Sequence, residues 1–302
     1  MAFNVTSNFA GKEAGFYISA ALKDAKSLDY LTQMNNVRYK SNIQAVNGAT
    51  LLRDATCDFT DYGTLTMTEK VLEVTPLQIN IDLCKQNLVS SWESLQMSGP
   101  GAMPPPSFED YVISYMGEII ADATENSIWG GTTGTSGEFN GFTGYWLLPG
   151  TDATVVQDAA AGAYTNANII ASLQGLVDAI TGGTANAVLG KDDAYIYMNN
   201  KTWQLYIQAI SALTGTPWMS MNKDYERVFE GIKIAVVPGM VDNQLVFAQK
   251  SNLFFGTDLL SDHTRIGIMD MSQLDGSDNL RLVARYTAGV VAGVGADVVR
   301  QS

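Results

Sequence analysis

Between Phe108 and Ala123, apolar side chains recur at Phe108, Tyr111, Val112, Tyr115, Met116, Ile119, Ile120 and Ala123. This three-and-four spacing marks a helix with one apolar stripe. Pro104-Pro105-Pro106 leads into Ser107, which stands at an N-cap position, with Asp110 where a capping-box carboxylate sits. The pattern predicts one helix from Ser107 to Trp129, about 33 Å long at ~1.5 Å per residue. Gly130-Gly131-Thr132-Thr133-Gly134 ends it. A helix of that length, followed by polar glycine-rich sequence without a catalytic motif, reads as a strut.

Elsewhere the period changes to two. Thr64-Leu65-Thr66-Met67-Thr68 alternates strictly, as does Val71-Leu72-Glu73-Val74-Thr75, and Asp61-Tyr62-Gly63 supplies turn chemistry. The pattern describes a long hairpin wet on at least one face, which needs a partner surface to be stable. Upstream, Ala14, Ile18, Ala21, Ala25 and Leu28 form a modest helical stripe, and Val37 to Ile43 reads as extended. That region is an arm.

A compact α/β unit is predicted after the glycine-rich loop. Ile169, Ile170, Leu173, Leu176, Val177 and Ile180 mark a helix stopped by Gly182-Gly183. Ala194 to Met198 reads as a strand, and Asn199 or Asn200 as the cap of a helix carrying Trp203, Tyr206, Ile207 and Ile210. Gly215 to Asp224 reads as an exposed loop, followed by strands at Ile232 to Val237, Leu245 to Gln249 and Asn252 to Phe255. The end reads as a meander: a strand from Arg265 to Met269, a turn at Leu274 to Asp278, and a strand from Leu280 to Thr287. A final strand is expected from Gly289. The fold class is α+β.

Composition narrows the function. The 302 residues are 46% hydrophobic but only 16% charged, against roughly 25% charged in typical soluble proteins. Few charges, 28 glycines and 13 tyrosines fit a chain whose surface largely meets other protein. A net charge of −13 repels phosphate backbones, which excludes nucleic-acid binding through counterion release. The first residues have neither the basic nor the apolar region of a secretory signal, and no run reaches transmembrane length. Cys57 and Cys84 lack metal-ligand spacing and are expected to stay reduced in a cytoplasm. No cofactor or metal is expected.

Candidate chemistry is sparse. His263, the sole histidine, has Asp262 beside it and Asp258 one helical turn earlier, a loop setting more than a ligand set. Gly134-Thr135-Ser136-Gly137-Glu138 departs from a nucleophile elbow at its fifth position. Asp192 with Asp193, and Glu118 with Asp122, are carboxylate pairs of the kind a hydrolase uses. Among 31 acidic residues such pairs arise by chance, and nothing assembles nucleophile, base and oxyanion site. Trp129 and Trp203 fall on predicted helices as core residues, while Trp146 and Trp218 lie in loops as interface anchors.

The order of these parts resembles the Hong Kong 97-type major capsid protein of tailed bacteriophages. The segments that carry the likeness are Glu13-Ala14-Gly15-Phe16-Tyr17-Ile18, the alternating Gly63 to Pro76 hairpin, and the Phe108 to Gly131 helix. Tyr195 to Thr202, and Asn252-Leu253-Phe254-Phe255-Gly256-Thr257-Asp258 leading into Arg265-Ile266-Gly267, complete it. The resemblance spans essentially the whole chain.

It implies an N-terminal arm over 1–50, an extended loop and return strand over 51–90, and an axial domain over 151–261. A peripheral domain over 91–150 and 262–302, built on a spine helix at 107–129, is implied as well. It implies a virion protein of the Caudoviricetes that assembles in the host bacterial cytoplasm, as hexamers and pentamers of itself, into an icosahedral head around double-stranded DNA without sequence-specific contact or membrane. Separate scaffolding, portal and decoration proteins are candidate partners; the chain starts almost directly at the arm instead of at a cleavable scaffolding segment, so scaffolding is expected to be a separate protein or absent. Inter-subunit contact candidates are Phe16 and Tyr17 in the arm, Tyr62, Leu65, Met67 and Lys70 in the hairpin, and Trp146 and Trp218. Alternatives are an encapsulin-like compartment, a tail-tube subunit and, in another class, the carboxylate-based hydrolase.

Overall fold

A computed structural model describes residues 26–49, 52, 54–55, 57, 63–84, 118–119, 121–131, 144, 154–158, 162–214, 227–257, 265–274 and 276–301. Within them lie two mixed sheets, a two-stranded ribbon and three α-helices.

The first sheet is organised by one long strand, β12 (Asn279–Ala292). Antiparallel to it run β4 (Thr75–Cys84), β11 (Arg265–Asp270) and β10 (Leu253–Gly256); β1 (Thr32–Met34) adds parallel to β10. The strand expected to begin at Gly289 is the continuation of β12, not a new element. Its glycine admits a close neighbour: a Cβ there would lie 2.1 Å from the Glu73 carbonyl oxygen. A residue that reads as a break in sequence is here a point of backbone approach.

The second sheet has six strands in the order β5 (Val156–Asp158), β13 (Val299–Gln301), β9 (Leu245–Gln249), β6 (Ala194–Met198), β8 (Ile232–Val236) and β7 (Val228–Phe229). β6 and β8 run parallel, joined through α3 (Asn200–Thr214). Their near-continuous apolar sequences suit strands covered on both faces. α2 (Ile169–Gly182) buries Ile169, Leu173, Leu176 and Ile180, the three-and-four stripe, against this sheet. Asn199 is the cap the sequence pointed to: its Oδ1 accepts the Thr202 N–H at 2.7 Å.

A single apolar core joins the sheets. It takes Leu83, Phe255, Leu280 and Leu282 from the first and Tyr197, Ala235, Val246 and Ala248 from the second. α1 (helical at 118–119 and 121–130) places Ile128 and Trp129 in that core, and Trp129 packs 5.0 Å from the Tyr197 ring. The earlier turns of the predicted strut, from Ser107, lie outside the described residues.

Candidate functional site

Among the described residues, the ribbon carries the longest stretch of strand left uncovered by the core. β2 (Lys40–Ala49) and β3 (Thr64–Glu73) pair antiparallel over ten residues each, so that Val46 faces Met67 and Gly48 faces Leu65. Of the two alternations read from the sequence, Thr64 to Thr68 lies wholly in β3, whereas Val71 to Thr75 runs from the end of β3 into β4, which opens at Thr75. The partner strand comes from 40–49, a stretch that reads in sequence as part of the arm.

Because side chains alternate, the two faces differ in chemistry. One carries Val46, Leu65 and Met67, with 58%, 64% and 59% of their surface exposed. Below this patch Gln44 Nε2 donates to Glu69 Oε1 at 3.2 Å, and Lys40 pairs with Glu73 at 3.2 Å. The hydrogen bond and charge of Glu73 hold the Lys40 ammonium above its ordinary value. The opposite face carries Thr64, Thr66 and Thr68, with the Thr68 hydroxyl donating to the Ala45 carbonyl at 3.3 Å.

The base is fixed where the tip is not. Leu72, fully buried, forms a small core with Val37 and Val74, against which Met34, Ile43, Phe254 and Val291 pack. Val74 N–H donates to the Tyr39 carbonyl at 3.1 Å, and Val37 N–H to the Thr257 carbonyl at 3.0 Å. The ribbon is therefore clamped to the first sheet at one end and carries its apolar patch away from the core.

Of the contact candidates, the structure brings Leu65 and Met67 onto one face and sets half-buried Lys70 on the other. Phe16, Tyr17, Tyr62, Trp146 and Trp218 lie outside the described residues, as do His263 and the 134–138 segment. Val46 was not among the candidates. Its only signal is an apolar position within Lys40 to Ala49, a segment whose alternation is blurred by Asn42, Gln44 and Gly48.

Two of the carboxylates weighed for hydrolysis, Asp193 and Asp122, accept hydrogen bonds from neighbouring amides. Asp193 accepts both amide contacts of Gln249 Nε2, at 2.8 and 2.9 Å, and its carbonyl accepts the Lys250 N–H. Burial opposes ionisation of Asp193, but the hydrogen bonds from Gln249 and Ser251 outweigh it and hold the carboxyl below its usual value. The Asp192 carbonyl accepts Lys233 Nζ, and Asp122 accepts the Asn126 amide at 3.2 Å. Among the described residues, no group of three or more His, Cys, Asp or Glu gathers as a metal site, and no helix is long and apolar enough to cross a membrane.

A second constellation went unread in the sequence. Thr124, Glu125 and Ser127 interrupt the apolar pattern of α1, yet all are buried, and Glu125 is fully so. Three hydrogen bonds to its carboxylate, two from Ser27 and one from Gly239, account for this. A polar run on a helix reads as a solvated face, and no local signal reveals donors supplied from distant chain.

No family model matches the chain, and no curated protein matches it. Solved structures match over its whole length. The capsid of a native GTA particle is 13% identical, with a TM-score of 0.62, covering 100% of this chain and 95% of that one. A chain of Gordonia phage Cozz is 10% identical at a TM-score of 0.62, covering 99% and 91%. The capsid of Myoviridae phage XM1 is 12% identical at a TM-score of 0.61, covering 99% and 98%. At such identities the likeness is one of fold, and the sequence-level resemblance to phage major capsid proteins holds at that level: this chain has the mixed helix-and-sheet fold of phage capsid structures.

Proposed function

We propose that the protein is a major capsid protein, a structural and non-enzymatic component of the virion that assembles with copies of itself into the icosahedral head shell enclosing phage double-stranded DNA. The observation that carries this reading is the whole-chain likeness to capsids of a GTA particle and of phage XM1. In this reading the fold is the Hong Kong 97 type, with the 1–50 arm crossing onto another subunit, the 91–150 and 262–302 peripheral domain on its spine helix, and the 151–261 axial domain meeting its copies at capsomer centres. The 51–90 extended loop is joined in the ribbon by β2 from the end of the 1–50 segment, which pairs with β3. Assembly proceeds in the host bacterial cytoplasm, with separate scaffolding, portal and decoration proteins as partners. A chain of net charge −13 meets the packaged DNA without gripping it.

The ribbon supplies the contact chemistry. A two-stranded ribbon with one apolar face and one threonine face is marginal alone and is completed by a second surface. The exposed apolar side chains of this face, Val46, Leu65 and Met67 with Val71 nearer the base, make a patch smaller than the roughly 800 Å² per partner of a stable isolated pair. Contacts of that size hold when many close by symmetry and their affinities combine. The Val46, Leu65 and Met67 face is accordingly the one seated on the neighbouring subunit.

Electron microscopy of the purified chain, with light scattering for mass, tests the reading. Closed icosahedral particles or rings of five and six are expected, and their content separates a head from a cargo-holding compartment. A monomer of 32.5 kDa that persists with scaffold supplied would overturn it.

A further inference from the structure

Glu125 is a buried carboxylate that the ribbon reading does not use. Its Oε2 accepts the Ser27 backbone N–H at 3.0 Å, and its Oε1 accepts the Ser27 hydroxyl at 2.6 Å and the Gly239 N–H at 3.1 Å. The Ser27 hydroxyl oxygen also accepts the Trp129 indole N–H at 2.6 Å. Ser27 lies 98 residues before Glu125 in the chain and Gly239 lies 114 after it. One side chain on α1 thus ties together by hydrogen bonds two segments whose flanking apolar residues, Leu31 and Met240, also lie in the shared core.

The surroundings are shaped for this. A Cβ on Gly239 would come within 2.1 Å of the Glu125 carbonyl oxygen and 2.7 Å of its Cγ, so only glycine lets that turn approach closely enough to donate. Withdrawing a carboxylate from water is strongly unfavourable unless donors replace the water, and these donors do so. The segment that Ser27 belongs to is pinned further along. The Tyr197 hydroxyl donates to the Tyr30 carbonyl at 2.9 Å, and Lys250 Nζ donates to the Asp29 carbonyl at 2.6 Å. β1 follows at once, and then Val37 and the ribbon.

We propose that Glu125 is a clasp, a positioning residue that joins the Ser27 segment, α1 and the Gly239 turn into one rigid joint, from which the chain runs through β1 to the ribbon base at Val37 and Leu72. The joint sets the direction in which the ribbon reaches outward. Its consequence for shell geometry rests on the capsid reading; the clasp itself does not.

Hydrogen exchange read by mass spectrometry on the full chain, with Glu125→Gln against wild type, tests it. Glutamine keeps the shape but turns an amide donor toward groups that are themselves donors. Peptides containing Ser27 and Gly239 are expected to lose protection together by about tenfold or more, while β6 and β9 peptides keep theirs. Unchanged protection at both sites overturns the clasp, and so does uniform loss across all peptides, which would make Glu125 an ordinary core residue. If Glu125→Gln does not fold, Ser27→Ala decides: it removes one donor and the acceptor of Trp129 without touching Gly239. Loss of protection at Gly239 in that variant supports the joint, and its absence overturns it. With the exchange pattern as expected, E125Q particles of irregular size against uniform wild-type shells support the directional role; uniform E125Q shells overturn that role. A wild type that forms no shells removes the capsid reading, and the exchange result still judges the clasp.

Discussion

The six-stranded sheet and the β2–β3 ribbon are both antiparallel or mixed ladders of ordinary strand residues, yet they sit at opposite extremes of burial. In β6, β8 and β9 nearly every side chain is buried, whereas in β3 all positions from Thr64 to Glu69 are exposed and only Leu72 is fully enclosed. The difference lies in side-chain pattern. Ala-Tyr-Ile-Tyr-Met offers apolar groups to both faces, so α2 on one side and the shared core on the other can cover the strand. Thr-Leu-Thr-Met-Thr offers them to one face only and leaves that face for a surface outside the subunit's core. Folding free energy is concentrated in the first region, and under the proposed function the second is where contact with a neighbouring subunit would be made.

The comparison can be broken at its strong end first. Phe247, fully buried in β9, packs with α2 and β13, and Phe247→Ala should lower subunit stability by about 3–5 kcal/mol through lost transfer free energy and the cavity left. Urea unfolding measures this; an unchanged midpoint would deny that the sheet carries the stability. A smaller effect is expected at the cap of α3. Asn199→Ala removes the bond to the Thr202 N–H and the one donated to Asp242 at 2.6 Å, and should cost about 1–2 kcal/mol in the same titration. At the weak end, Val46→Thr with Met67→Thr should change subunit stability by less than about 0.5 kcal/mol, since neither side chain is covered. The same pair should abolish closed particles in negative-stain micrographs. Normal particles from that double variant would show that the apolar face is not the seated one.

Legibility in the sequence followed the range of the forces involved. α2, α3 and the strands β6, β8, β9 and β10 were readable, because a stripe at helical spacing or a short apolar run is set by covering surfaces common to any α/β unit. The cap at Asn199 was readable for the same local reason. Gly289 misled, since glycine marks both a chain break and a close approach, and only the position of Glu73 separates the two. The ribbon was half legible: β3 alternates clearly and β2 does not. The pairing that makes Val46 a neighbour of Met67 is a matter of register across distant chain.

By itself the sequence determined the mixed helix-and-sheet class, the helix and strand content of the α/β unit, the acidic and sparsely charged composition, and Leu65 and Met67 as contact candidates. These depend on period and composition, which act within a few residues. Tertiary structure alone decided that the last strand enters the six-stranded sheet between β5 and β9, and that 40–49 completes the ribbon. It alone decided that a polar turn of α1 is buried around Glu125. Each is a long-range closure in which a backbone or carboxylate group finds its partner far away in the chain. Polar groups are satisfied by whatever donor the fold delivers, and no local pattern records which one that is.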